Sequence, residues 1–575
     1  MTVTVPAQVL ANATRIPRAA AFLTRDGGRW VPSTWEAYGR LVTRVAKALI
    51  AAGVERGDAV AILGRNRPEW VAFDVAAMAI GAVPAGIYTT NSADECAYIL
   101  RHCAARVVLV EDRKQWEKMA TIRADLDEDL RVVTMRGADV DDDATWSWEA
   151  FVASGEAVGD GTVDERLASL EPNDPATLIY TSGTTGTPKA VLLTHDNLTW
   201  TARSAVELYG IRTSDLTISY LPLSHIAEQI FTIHAPTFGA FPVAFARSVE
   251  RLRADLAEVQ PTVFFGVPKV WETMERSIRS EWRKLRGPQA RVAGWAMEIG
   301  RAVAERRNRG EEPGAVLGAQ YEAAKVLFFS KVKARLGFSR LRLAISSAAP
   351  VAKEVLEFMA GVDVIVHEVY GQSESTGPTT ANVPGATRFG TVGRAWPGTE
   401  VWTADDGEIL SRGRNVFAGY LHDAEATAAT LAGGWLHSGD LGTVDDDGFV
   451  TITGRKKEII VTSGGKNIAP KGLEAMLKRH RGVAEAMVVG DGRDYLVALI
   501  VPDDDVDGDV DRAVAEAVRS VNATVSAVER IRRYRLMDRP FTIEAGELTP
   551  TLKLRRSVIE EHFAAEIDAL YPASR

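Results

Sequence analysis

Hydrophobic positions along the first 115 residues switch between two periods. In WEAYGRLVTRVAKALIAAGV (35–54) apolar residues recur at three- and four-residue spacing, which predicts an amphipathic helix, whereas DAVAIL (58–63) predicts a short buried strand. VAFDVAAMAIGAV (71–83) predicts a second helix and ARVVLVED (105–112) a second strand. The strand-like runs DPATLIYTSG (174–183), PTVFFGVP (261–268) and LRLAISSAAP (341–350) extend the series. Strands alternating with helices predict a parallel sheet wound on both faces, and ligands of such sheets bind where the strands run out into loops.

From about residue 385 the texture changes. GTVGRAWPG, DGEILSRGRNVFAGY and GTVDDDGFVTITG are short strand-like runs broken by Gly and Asp turns, which predict a small β-rich unit. Beyond 456 the chain supplies a new set of signals: a strand in EIIVTSG, a helix in KGLEAMLKR, and strands in AEAMVVGD and YLVALIVP. A separate C-terminal domain of mixed helices and strands is therefore expected. The acid run PDDDVDGDVD (502–511) reads as a solvated loop rather than a metal site.

Composition narrows the class. Of 575 residues, 46% are hydrophobic and 25% charged, which excludes a disordered or collagen-like chain. The two cysteines, Cys96 and Cys103, provide neither a disulfide framework nor a cysteine metal site, so a reducing setting is expected. The first twenty residues lack the basic and apolar regions of a signal peptide. The longest apolar stretch, 75–88, is interrupted by Gly81, Pro84 and Gly86 and is too short to span a bilayer. A cytoplasmic protein is the expectation.

Net charge is −9, but it is unevenly spread. The helix-like stretch 269–340 holds 16 basic and 8 acidic residues, leaving −17 on the rest. Such a stretch fits either a solvated helical face or a surface that meets anionic lipid, at the inner face of a membrane, or another anionic ligand.

The most informative segment is YTSGTTGTPK (180–189). It follows a predicted strand and is rich in small hydroxyl residues and glycine. Backbone N–H groups and hydroxyls of such a loop can turn onto a polyphosphate, with Lys189 adding charge. The spacing of a Walker A loop is absent. In chain order there follow LPLSHIAEQ (221–229), SSAAP (346–350), YGQSEST (370–376), GWLHSGDLG (434–442), GRKKEIIVTSGGKNIAP (454–470) and TPTLKLRR (549–556).

This series resembles the signature motifs of the adenylate-forming, AMP-binding superfamily, and its wording is most similar to the bacterial long-chain fatty acyl-CoA synthetases. The resemblance implies a large N-terminal α/β domain of doubly wound sheets with a small β-rich subdomain (1–454), a hinge (455–458) and a smaller, mobile α+β C-terminal domain (459–575). It implies ATP, Mg²⁺ and CoA as cofactor and co-substrates, and fatty acid as the acyl donor. No nucleic-acid partner is expected.

For ATP and AMP it implies Thr181, Ser182, Gly183, Thr184, Thr185 and Lys189 in the signature loop. Ser347, Ala348 and Ala349 would lie beside adenine, Tyr370 would stack on it, Gly371 would belong to the same nucleotide site, and Ser373 would contact the phosphate. Asp440 would accept from the ribose hydroxyls and Arg455 would reach ribose or phosphate. Glu374 and Thr181 are the implied metal ligands. Lys553 is the implied catalytic lysine, in a motif where Leu552 stands in place of the glycine of many relatives. His225 and Gly266 would flank the acyl group, Lys457 would be the hinge, and Gly464 would border the CoA tunnel. Because 22 residues follow Lys553, no fused carrier domain is expected. Two alternatives share these motifs: a fatty acyl-AMP ligase serving a separate carrier protein, and a silent acyl- or nucleotide-binding protein.

Overall fold

The computed structural model describes residues 3–181, 188–503, 509–549 and 553–571. Residues 182–187 of the signature loop and 504–508 of the acid run lie outside the described residues.

The largest sheet has eight strands, in the order Gly419–Tyr420, Lys189–Thr194, Pro175–Thr181, Val83–Ile87, Ala59–Leu63, Val107–Val110, Arg131–Thr134 and Thr145–Trp146. The last six pair in parallel and the first two are antiparallel additions. Every residue of Ala59–Leu63 and Val107–Val110 is buried, which explains their unbroken apolar runs. Alternate residues serve opposite cores. Val60, Ile62, Val107 and Leu109 pack with the helices Trp35–Ala51 and Pro68–Ala79. Ala61, Leu63, Val108 and Val110 pack with Ala93–His102 and Arg113–Ile122 on the other face. The sheet is doubly wound, as the alternation predicts.

One element departs from the pattern. The helix expected over 71–83 ends at Ala79, Gly81 takes a φ of +78°, and Val83–Ile87 is a central strand despite Pro84. Proline removes a ladder donor, but the Pro84 carbonyl accepts from the Thr177 hydroxyl at 3.1 Å. Gly86 has a positional reason. A Cβ there would come within 2.7 Å of Ser224 Cα, so its absence lets the 221–229 loop lie directly on the strand.

A five-stranded sheet runs Val263–Gly266, Leu343–Ser346, Val366–Gln372, Gly377–Ala381 and Arg394–Ala395, with the first three parallel. The β-rich unit is the antiparallel sheet Thr399–Thr403, Glu408–Gly413, Leu436–Val444 and Val450–Arg455. The C-terminal part is built on Val483–Val489, Leu496–Pro502 and Ile531–Leu536. Pro470–Lys478 and Val510–Thr524 cover one face of that sheet, and Arg556–His562 and Ala564–Ala569 the other. EIIVTSG contracts to the two-residue strand Ile460–Val461, paired with Asn467–Ile468. The pairs Arg276–Asp503 (3.4 Å) and Arg479–Glu354 (2.8 Å) tie the C-terminal part to the rest.

The basic stretch folds into the helices Pro268–Arg283 and Gly287–Asn308 and a third that runs Ala315–Ala324, a widened turn Lys325–Phe329, and Ser330–Leu336. Much of its charge is neutralised locally: Arg307 and Lys333 pair with Asp363, Arg335 and Lys284 with Glu281, and Arg309 with Glu305. Cys96 and Cys103 are buried and free. Among the described residues no helix is long and apolar enough to cross a membrane.

Candidate active site

Strand ends bring most of the sequence-selected residues together. Asp440 and Arg455 stand opposite each other on neighbouring antiparallel strands, and Tyr370 lies near the end of Val366–Gln372. Asp440 is buried, accepting from Tyr370 Oη at 2.8 Å and from Arg455 Nε at 2.9 Å. Burial, and after it the Asp440 charge, raises the Tyr370 phenol above its ordinary value, so it donates at neutral pH. One carboxylate thus organises an aromatic ring and a guanidinium in a single cluster.

Gly371 is sterically required. A Cβ would fall 1.7 Å from the Gly377 carbonyl oxygen, because the hairpin Val366–Gln372/Gly377–Ala381 closes on itself there. The chain then enters a short 3₁₀ turn, Ser373–Ser375, in which Ser373 is buried. Glu374 follows it, and its Oε1 accepts from Tyr420 Oη at 2.7 Å.

Tyr420 is a residue that the sequence motifs did not single out; the only signal was its place in a strand-like NVFAGY run. Its ring lies 4.9 Å from Lys189 Nζ, and Lys189 in turn pairs with Asp423 at 3.2 Å. Carboxylate, phenol and ammonium therefore form one connected line at the foot of the signature loop. Thr181 sits at the start of that loop, its Oγ1 3.5 Å from the Lys189 carbonyl. Ser182, Gly183, Thr184 and Thr185 lie outside the described residues.

Ser347, Ala348 and Ala349 form the loop after Leu343–Ser346. Ala348 takes a φ of +75°, a left-handed conformation that costs an alanine on the order of 1–3 kcal/mol and that clusters at ligand sites. Gly266 ends the neighbouring strand, and a Cβ there would meet the Trp271 indole at 2.8 Å.

The 221–229 loop is fixed from within. Glu228 is fully buried, and its Oε1 accepts from Ser219 Oγ (2.9 Å), Thr232 Oγ1 (2.8 Å) and Tyr220 N (3.1 Å); burial pushes its carboxyl up to about 8. His225 Nδ1 accepts from Ala227 N at 3.1 Å and caps the short helix Ile226–Gln229. Burial first, and the Lys553 charge second, push the His225 imidazole down to about 4, so it is neutral.

That coupling brings the C-terminal lysine within electrostatic reach of His225. Lys553 keeps contact with water, yet loss of bulk solvent, then the charges of Arg455 and Lys471, push its ammonium down to about 8, with Asp440 and Glu458 acting in the opposite sense. Lys457 is exposed in the 3₁₀ turn Lys456–Glu458, between strands of the two parts of the chain. A Cβ at Gly464 would meet nothing closer than Thr462 Oγ1 at 4.0 Å, so this arrangement of the chain makes no steric demand for glycine there.

The chain matches the AMP-binding enzyme family over residues 9–421 and the AMP-binding enzyme C-terminal domain over 457–575. It belongs to the AMP-binding enzyme family. Among similar curated proteins is a long-chain-fatty-acid–CoA ligase of Xenopus laevis, 35% identical, covering 96% of this chain and 81% of that protein. Another is the long-chain-fatty-acid–CoA ligase FadD15 of Mycobacterium tuberculosis, 34% identical over 95% and 93% of the two chains. The fold is shared with the crystal structure of an anthranilate CoA ligase in complex with anthranoyl-AMP, at a TM-score of 0.73 and 22% identity, covering 99% and 98%.

Proposed function

We propose that this chain joins a long-chain fatty acid to CoA, using ATP to form an acyl-adenylate and releasing AMP and pyrophosphate. The observation that carries the reading is that Lys553, from the C-terminal part, lies within electrostatic reach of Arg455, Asp440 and His225. Attack of a carboxylate on the α-phosphate of ATP brings two anions together, and a cation at that point stabilises the transition state.

In this reading Lys553 bridges the carboxylate and the α-phosphate. Asp440 accepts from the ribose hydroxyls, Tyr370 and the Ser347–Ala348–Ala349 loop hold adenine, and Arg455 and Lys189 meet ribose or phosphate. Ser373 and the signature loop, Thr181 included, contact the phosphates. His225 and Gly266 border the acyl chain, and the neutral imidazole suits an apolar neighbour. Lys457 is the hinge about which the C-terminal domain (459–575) turns from the N-terminal domain (1–454), and Gly464 then faces the CoA tunnel. The alternative acceptor is a carrier protein.

Magnesium fits the residues present. Among the described residues no cluster of three or more His, Cys, Asp or Glu side chains is formed, as suits an ion held mainly by substrate phosphates and water. Glu374, with one oxygen engaged by Tyr420, offers a carboxylate for it, and Thr181 a hydroxyl. Bound there, it would neutralise charge on the phosphates during transfer.

The test is pyrophosphate release over a panel of carboxylates, with and without CoA. Release with long-chain acids, and acyl-CoA formed only when CoA is added, is the expected result; preference for aryl or short acids, or acyl transfer only to a carrier protein, would overturn it. A pH dependence follows from Lys553. Its ammonium must be protonated to act, so kcat/KM for adenylation should fall as pH rises through about 8. The alkaline limb of kcat should lie higher, because bound phosphate raises the lysine again. An alkaline limb unmoved in Lys553→Arg would assign it to another group. Peripheral contact with an anionic lipid surface belongs to the same reading, since long-chain acids partition there.

A further inference from the structure

The third helix of the basic stretch, Ala315–Ala324 continued through Lys325–Phe329 and Ser330–Leu336, is apolar on both sides. Tyr321, Ala324, Phe329 and Leu336 face the protein. The opposite side is open to solvent, yet it carries Val316 (76% exposed), Val326 (71%) and Leu327 (50%), with Ala319, Ala323 and Ala334 on the same exposed side. Val316, Ala319, Ala323 and Val326 recur at three- and four-residue spacing, Leu327 is adjacent and Ala334 follows seven residues later, a stripe of about 27 Å at 1.5 Å per residue. A helix hydrophobic all round is ordinarily buried.

The widened turn explains the local pattern. A π-type turn accommodates one extra residue, so Phe328 and Phe329 turn inward in succession while Val326 and Leu327 turn outward in succession. Positive charge is in excess beside the stripe, although Lys325 pairs with Glu322 at 3.4 Å. Lys325, Lys331 and Arg335 are exposed along it, against a single carboxylate, Glu322. Lys331 has no ion-pair partner among the described residues, and Arg335, though paired with Glu281, is 67% exposed.

We infer that this stripe is the seat of a peripheral contact with an anionic lipid surface, its aliphatic side chains entering the headgroup boundary and Lys325, Lys331 and Arg335 meeting lipid phosphates. An amphipathic element of this kind binds through apolar area and through charge together, and the exposed Val316, Val326 and Leu327 set this helix apart from the rest of the basic stretch. The inference rests on the long-chain reading, because an acid dissolved in lipid is the substrate such docking would bring close.

The experiment is flotation of the full chain with vesicles of phosphatidylcholine alone or mixed with phosphatidylglycerol. Comparison is with Val326→Asp/Leu327→Asp and with Lys331→Glu, and each variant is also assayed for pyrophosphate release with acid supplied in detergent. The wild-type chain should float with the anionic vesicles. The double aspartate variant should lose at least tenfold in vesicle affinity at any salt. Lys331→Glu should lose a severalfold amount that vanishes at high salt. Release in detergent should be unchanged in both variants, so that its loss points to the functional reading rather than to docking. Equal flotation of the double variant and the wild type, binding to neither vesicle, or a dimer that the aspartates dissolve without any vesicle binding would each overturn the inference.

Discussion

Lys553→Ala should abolish adenylation and spare thioester formation. The ammonium lies within electrostatic reach of Arg455, Asp440 and His225, and in the proposed function its removal leaves the developing charge at the α-phosphate without its cation. Preorganised charge of this kind is typically worth about 10²–10³ in rate. In the proposed function CoA attacks the acyl-adenylate after the C-terminal domain has turned and withdrawn Lys553, so thioester formation from preformed acyl-adenylate should proceed at close to the wild-type rate. The assay supplies synthetic acyl-adenylate and CoA and follows acyl-CoA. Equal loss in both half-reactions would mean that Lys553 is structural or serves both steps. Normal adenylation would assign the role elsewhere, with Lys471, whose charge acts on Lys553, and Lys466 of the 454–470 motif the lysines to test. Lys457→Pro should give the reverse pattern, because proline fixes φ at the exposed turn between the two parts of the chain.

The second large effect is expected at Glu374. Glu374→Gln keeps the shape but removes the charge, and pyrophosphate release should fall about 10²–10³-fold while the thermal unfolding midpoint stays put. Near-normal release by a folded variant would sink the metal-ligand reading. Tyr420 adds an internal control, since its hydroxyl reaches the same carboxylate at 2.7 Å. Tyr420→Phe keeps the ring beside Lys189 and should raise the magnesium concentration needed for half-maximal rate severalfold. Made together with Glu374→Gln it should add little, because the phenol acts through the carboxylate. Additive losses would show that Tyr420 works by another route.

The fold class was readable where strands are buried on both faces. Ala59–Leu63 and Val107–Val110 carry no competing signal, since two cores demand apolar side chains at every position. Val83–Ile87 was hidden for the same reason that makes it useful. Pro84 and Gly86 look like strand breakers in one dimension, and only the packing of Ser224 against Gly86 shows why a strand without a side chain is needed there.

The site was legible as a set of motifs but not as a set of contacts. Asp440 and Arg455 are recognisable by their flanking residues, yet their register as opposed partners is a property of the antiparallel sheet. Tyr420 and Asp423 escaped because their partners, Glu374 and Lys189, lie far away in sequence and nothing local marks the pairing. The charge excess of the basic stretch was visible in composition, but its neutralisation by Asp363 and Glu281 was not.

The pairing of Lys189 with Asp423 has a consequence for selectivity. An empty cleft lined with unmatched cations would fill with whatever small anion the solution offers. Here Lys189 already holds an internal counter-ion, and Arg455 holds another in Asp440. Lys189 and Asp423 are both well exposed, so their attachment is weak and readily exchanged, whereas the Arg455–Asp440 pair is more enclosed. A singly charged anion gains little by displacing Asp423. A polyphosphate, presenting several charges at once, gains at every contact. If the proposed nucleotide contacts hold, the resting protein is arranged as an ion exchanger of graded strength, loose at Lys189 and firm at Arg455.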